Sequence, residues 1–199
     1  LLLSGCSSQD ESSTNKVKKQ DKIKKAEASA QFKHLRDKDE LYEVYDDSGI
    51  VTMYLTVSRG NSSENTDHSW AEINTYSVYD YADMGVTRYQ VMGLLQAGDE
   101  DGPVAGEVGY GEEAPNATVQ VRGQTSSGYT QKNYKVELKK GKGTWRQQRA
   151  IALNKHMGEG MRFRNKMAYD LIRGIPQMMG LRTQFLHLWV CDQTEKSND

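Results

Sequence analysis

Beyond residue 40 the apolar positions alternate with polar ones or fall into short apolar runs, and that period belongs to strands more than to helices. Strands are predicted over residues 41–45, 50–57, 70–79, 87–95, 104–110, 118–122, 133–138, 149–153 and 184–190. The first two flank Asp46-Asp47-Ser48-Gly49, turn formers between β-prone runs, which predicts a hairpin. One segment has a helical period. Phe163, Met167, Leu171 and Ile175 recur every four residues, Ala168 and Ile172 widen the stripe, and Pro176 marks the stop. Arg162, Arg164, Lys166 and Arg173 lie largely off the stripe, so the helix is expected to pack its apolar face on the sheet and present a basic collar near its start. The fold class that follows is α+β: a twisted, mostly antiparallel sheet with one packed helix.

The 199 residues, 36% of them hydrophobic, suffice for one core. The net charge of −1 hides a split. Residues 37–118 hold 3 basic against 17 acidic residues, whereas 119–182 hold 14 basic against 3 acidic. A general polyanion binder is excluded by the total, and the basic half is where an anionic ligand belongs. The acidic half, 37–118, reads as a β-rich region that either precedes or is inserted in the rest. Its Tyr76, Tyr79, Tyr81 and Tyr89 are read as packing, since acidic surroundings repel nucleic acid. Two cysteines, Cys6 and Cys191, rule out a disulfide scaffold, and four scattered histidines offer no metal spacing. No apolar run reaches the roughly 18–20 residues of a membrane-spanning helix.

The start, Leu1-Leu2-Leu3-Ser4-Gly5-Cys6, resembles a bacterial lipobox. The resemblance implies a diacylglyceryl group on Cys6, an anchor at the extracytoplasmic face of the membrane, and residues 7–36 as a Lys- and Ser-rich tether. The alternative is an ordinary apolar start with a chance cysteine. At the other end a polar stop follows closely on the strand at 184–190, and both termini suggest a piece of a longer product.

Candidate chemistry lies in the basic half. Val119 to Arg122 leads into Gly123-Gln124-Thr125-Ser126-Ser127-Gly128, a loop whose amides can cradle phosphate with Arg122 at its mouth, or a plain surface turn. In the next strand, alternation puts Lys132 with Tyr134, Val136 and Leu138 on the apolar face. An inward ammonium needs an anion, unless its stem carries it to solvent at the strand's frayed start. Gly141-Lys142-Gly143 reads as a turn, and Met178 and Met179 as core filler.

Four motifs in order, Val121-Arg122-Gly123-Gln124-Thr125, Gln131-Lys132-Asn133-Tyr134-Lys135-Val136, Ile151-Ala152-Leu153-Asn154 and Arg164-Asn165-Lys166-Met167-Ala168-Tyr169-Asp170-Leu171, resemble the CotH kinase family of bacterial spore-coat and surface proteins. The likeness spans about residues 119–190. It implies an atypical protein kinase whose β-rich N-terminal lobe grips ATP and whose C-terminal lobe carries catalytic and Mg²⁺-binding aspartates. Carried over motif by motif, Arg122 and the Gly123 to Ser127 loop, Gly123, Thr125 and Ser126 among it, face the phosphates, Lys132 is the inner strand lysine, and Asn154, Arg164, Asn165 and Lys166 form a basic wall. In the family the aspartate motifs follow well after the strand at 184–190, so residues 119–199 are expected to be an incomplete N-terminal lobe without catalytic or metal residues, inactive as such. Asp170 is read as an ion-pair partner of the helix arginines and not as the base. Two functions remain open: part of a membrane-tethered kinase that phosphorylates Ser or Thr of an extracytoplasmic protein, or a non-catalytic surface module that binds a protein or cell-wall glycan.

Overall fold

The computed structural model describes residues 48–175, 178 and 180–195. Among them seven strands form one sheet: β1 (Ile50–Ser58), β2 (Val91–Asp99), β3 (Gly102–Pro103), β4 (Ala117–Arg122), β5 (Asn133–Leu138), β6 (Ala150–Leu153) and β7 (Phe185–Asp192). Their order is β6-β5-β4-β2-β1-β7, with β3 paired to the end of β2. Neighbours run antiparallel except β1 and β7, which are parallel from Ile50 opposite Phe185 to Val57 opposite Asp192. The α+β, mostly antiparallel class expected from the sequence is the class observed.

Alternation decides which face is buried. Met53, Leu55 and Val57 of β1 meet Val91, Leu95 and Ala97 of β2, and the row continues through Val119, Val136 and Ile151 as one core cluster. Two short helices join it. These are α1 (Trp70–Thr75), which buries Ile73, and α2 (Val78–Met84), which buries Tyr81. Residues 70–75 and 78–79, expected as parts of one strand, are therefore helical, with Tyr76 and Ser77 extended between them. The cause is local: Ser69 and Glu72 form one capping box, and Ser77 and Asp80 a second, each satisfying amides that a helix start leaves open. Residues 104–110 are also not a strand. Gly106 and Gly109 hold positive φ, and a Cβ on Gly109 would lie 2.1 Å from the Leu95 carbonyl oxygen, so the segment turns against β2. Gly141-Lys142-Gly143 is the turn expected, with Lys142 N–H donating to the Lys139 carbonyl.

β1 has β2 on one side and β7 on the other. Residues 41–45, the first arm of the expected hairpin, lie outside the described residues. Cys6 and the 7–36 tether lie outside them too. Both β1 and β2 come from the acidic stretch, and they lie inside the sheet, between β4 and β7. Residues 48–118 and 119–195 thus share one sheet and one core. After β7 the chain folds back on α1: Thr194 is buried, its Oγ1 accepts Trp70 N–H at 2.9 Å, and its carbonyl accepts from Arg59 Nε at 2.9 Å.

The helix with the four-residue period forms as α3 (Arg164–Arg173), but none of its residues is buried. Met167 and Leu171 stay exposed and line an open groove of about 690 Å³ with Met161, Phe163 and Phe185. The stripe is real; the expected burial on the sheet is not observed among the described residues. Among these residues no helix is long and apolar enough to cross a membrane.

Candidate functional site

The antiparallel pairing of β4 with β5 sets the end of β4 against the start of β5, Arg122 opposite Asn133, and β6 finishes beside them with Leu153 opposite Tyr134. Three motifs far apart in sequence therefore meet at one end of the sheet. Gly123 turns the chain out of β4 at φ +96°, and a Cβ there would lie 2.0 Å from Ser126 Oγ, so the corner admits only glycine without a shift. A 3-10 turn, Thr125–Gly128, follows. Asn133 spans the cluster, its Nδ2 donating to Ser126 Oγ at 3.1 Å while its Oδ1 accepts Lys155 N–H at 2.7 Å. The Arg122 guanidinium donates to Asn154 Oδ1, one residue past β6.

Lys132 sits where alternation puts it, on the apolar face, and is 9% exposed. The frayed, solvent-reaching alternative does not apply: Nζ donates to the Ser127 carbonyl at 2.6 Å. Burial lowers the pKa of this ammonium, and the negative Asp80 on α2 counters part of that shift. An ammonium has three protons, and Ser127 accepts one of them. A phosphate oxygen entering beside the turn can take another.

Arg122, Gly123, Thr125, Ser126, Lys132 and Asn154 all lie at this end of the sheet, Arg122 and Asn154 on the face of Asn133 and Lys132 on the opposite, buried face. The remaining expected residues, Arg164, Asn165 and Lys166 at the start of α3, make their own contacts. Arg164 N–H donates to Glu159 Oε2 at 3.1 Å, Asn165 Nδ2 lies 3.0 Å from His156 Nδ1, and Lys166 Nζ donates to Asp170 at 2.9 Å and to the Thr183 carbonyl at 3.2 Å. Asn165 is thereby tied, through His156, to the segment just after Asn154; Lys166 is directed to the approach to β7. Asp170 pairs with Lys166 and, at 3.5 Å, with Arg173, the ion-pair role expected of it.

Two residues at the site, Asn133 and Arg88, were given no role by the sequence reading, and a third, Ser127, was read only as part of the loop. Ser127 is 1% exposed; its Oγ accepts Val78 N–H from α2 at 3.0 Å and donates to the Gln124 carbonyl. Asn133 was seen only as a polar face position. Arg88 donates to the Val121 and Gly123 carbonyls from 33 and 35 residues upstream. Only Asn133 had a local signal, an amide directly beside the inward lysine.

The glycine corner and hydroxyl-bearing turn carry a cation on either face of the sheet end, Arg122 and Lys132, a setting for an anion. They do not suit a metal: among the described residues no three His, Cys, Asp or Glu side chains come together to hold one.

Residues 119–195 match the family model described as CotH kinase protein, less than half of the 199-residue chain. This segment contains Arg122, the Gly123 turn, Lys132, Asn154 and α3, and excludes β1, β2, α1 and α2. The match agrees with the resemblance carried by the four motifs. No curated protein and no solved structure matches the chain.

Proposed function

We propose that this chain contributes the nucleotide-gripping part of a CotH-type protein kinase, held outside the cell by a lipid on Cys6, which transfers the γ-phosphate of ATP to Ser or Thr of an extracytoplasmic protein. One observation supports the reading: Lys132 is buried on the sheet's inner face and bonded to the turn that follows the Gly123 corner, within the segment that matches a kinase family.

A triphosphate reaching the turn after Gly123 would meet the desolvated Lys132 ammonium, and charge-assisted hydrogen bonds there are stronger than in open water. ATP supplies the phosphoryl group. Ser126 and Ser127 shape the turn, Asn154 aims Arg122, and Lys132 holds an oxygen from below. Transfer needs in addition a positioned base and metal-held charge. The described residues assemble neither, so no step is routed through Mg²⁺, and their part is to bind and orient. On this reading they are inactive without further acidic groups.

The test is thermal unfolding of the full chain with Mg-ATP. At a hundred times Kd the ligand stabilises by about 2.7 kcal/mol, a rise of a few degrees in Tm. No rise at saturating nucleotide contradicts the reading.

A second reading, a non-catalytic surface module for a protein or cell-wall glycan, is favoured by one feature: Phe185 and Trp189 on edge strand β7 are exposed, with the His187 ring 4.8 Å from the Trp189 ring. On that reading Trp189→Ala abolishes partner binding while Lys132→Ala leaves it intact.

A further inference from the structure

A loop of glycines and small hydroxyl residues has little packing of its own, so something outside must fix its shape. Its carbonyls matter as much as its amides, because a carbonyl turned toward an anion repels it. Arg88 addresses both points. It lies between α2 and β2, before the segment that matches the kinase family. Its guanidinium donates from Nη1 to the Val121 carbonyl at 3.1 Å and from Nη2 to the Gly123 carbonyl at 2.7 Å. Val121 is the last core residue of β4 and Gly123 is the positive-φ corner, so the fork spans the bend at which strand becomes loop. The peptide carbonyls on either side of Arg122 thereby face the guanidinium, and the Arg122 side chain between them reaches Asn154.

A second tie comes from the same upstream region. The first N–H of α2, on Val78, donates to Ser127 Oγ, and the Ser127 carbonyl holds Lys132. Both Arg122 and Lys132 thus depend on the segment 77–88: Arg122 through the corner that Arg88 clamps, Lys132 through Ser127, which Val78 holds.

We propose that Arg88 is a positioning residue for the phosphate loop. It touches no phosphate; its two bonds hold the Gly123 corner and so fix the course of the loop amides and the exit of Arg122 from β4. This rests on the nucleotide reading of the loop. Arginine suits the task because its planar fork engages two carbonyls at once, whereas an ammonium is a single point charge.

Arg88→Ala and Arg88→Lys in the full chain test it by two readouts. Without nucleotide, amide hydrogen exchange at residues 123–128 is expected to be about tenfold or more faster in Arg88→Ala, with core amides of β2 and β5 unchanged; local opening of this kind is what exchange reports. ATP affinity by calorimetry is expected to fall about tenfold or more, with Arg88→Lys intermediate in both measurements. A general loss of stability would instead speed exchange throughout and would not be rescued in part by lysine. If Arg88→Ala does not fold, the same readouts on Arg88→Lys decide. Unchanged exchange at 123–128, or unchanged affinity in a variant of a chain that binds ATP, overturns the proposal alone. Failure of the unaltered chain to bind ATP overturns the nucleotide reading, and this proposal with it.

Discussion

Lys132 donates to the carbonyl of Ser127 at 2.6 Å, five residues back along the chain, and both residues are buried at the end of the sheet. The bond explains how an ammonium is tolerated on an apolar face. It also leaves that cation desolvated, and so more attractive to a second acceptor than a surface lysine is.

Replacing the charge while keeping the stem separates binding from folding. Lys132→Met removes the desolvated ammonium and retains apolar volume, while the Ser127 carbonyl loses one hydrogen bond; the opposing effects leave stability within about 1 kcal/mol of the unaltered chain. Denaturant unfolding checks this, and a loss of several kcal/mol contradicts it.

Asn116 is fully buried and acts as one more rung of the ladder between β4 and β2. Its Oδ1 accepts Leu95 N–H at 2.8 Å and its Nδ2 donates to the Leu95 carbonyl at 2.9 Å. Asn116→Ala strands both backbone groups, each costing about 1–3 kcal/mol when buried without a partner. A loss of about 3 kcal/mol or more is expected in urea unfolding, against under about 1 kcal/mol for Asn61→Ala on the surface turn.

The matched segment is not expected to fold alone. Among the described residues β7 pairs only with β1, and β4 reaches β1 only through β2. Residues 119–195 expressed alone are expected to give neither dispersed amide resonances nor a cooperative thermal transition. A cooperative transition would show that β7 finds another partner.

Acid weakens the start of α1. The Ser69 amide and hydroxyl, with Arg59 nearby, hold the Glu72 carboxyl below its ordinary value of 4.5. A carboxylate with a lowered folded-state pKa gives stability that is present above the unfolded value and lost as pH falls through the folded one. Stability is therefore expected to drop as pH falls below about 4.5, and Glu72→Gln is expected to flatten that part of the profile. An unchanged profile in the variant contradicts the assignment. At neutral pH, Ser69→Ala costs about 1 kcal/mol through the lost cap.

What the sequence made legible was mostly local. β5 was read at its observed bounds, and its period of two placed Lys132 inward. β4, β6 and β7 were found within a residue or two at most ends, because each is an apolar run between turn formers. α1 and α2 were missed because Tyr-rich residues 70–79 have strand propensity, although Ser69-Trp70-Ala71-Glu72 carries a helix-start signature that outweighs it. The parallel pairing of β1 with β7 joins residues more than 130 apart, and no local period reports it. The same is true of Arg88, whose two carbonyls lie a strand and a loop away. The α3 stripe was read correctly as a period, but period alone does not say what covers it.

Calorimetric titration of the full chain with ATP, run in parallel on Lys132→Met, tests the central claim most directly. The account predicts saturable binding by the unaltered chain and a loss of about tenfold or more in affinity in the variant, which removes one charge-assisted contact to phosphate. Equal affinity in both, or no binding by a folded unaltered chain, would contradict it.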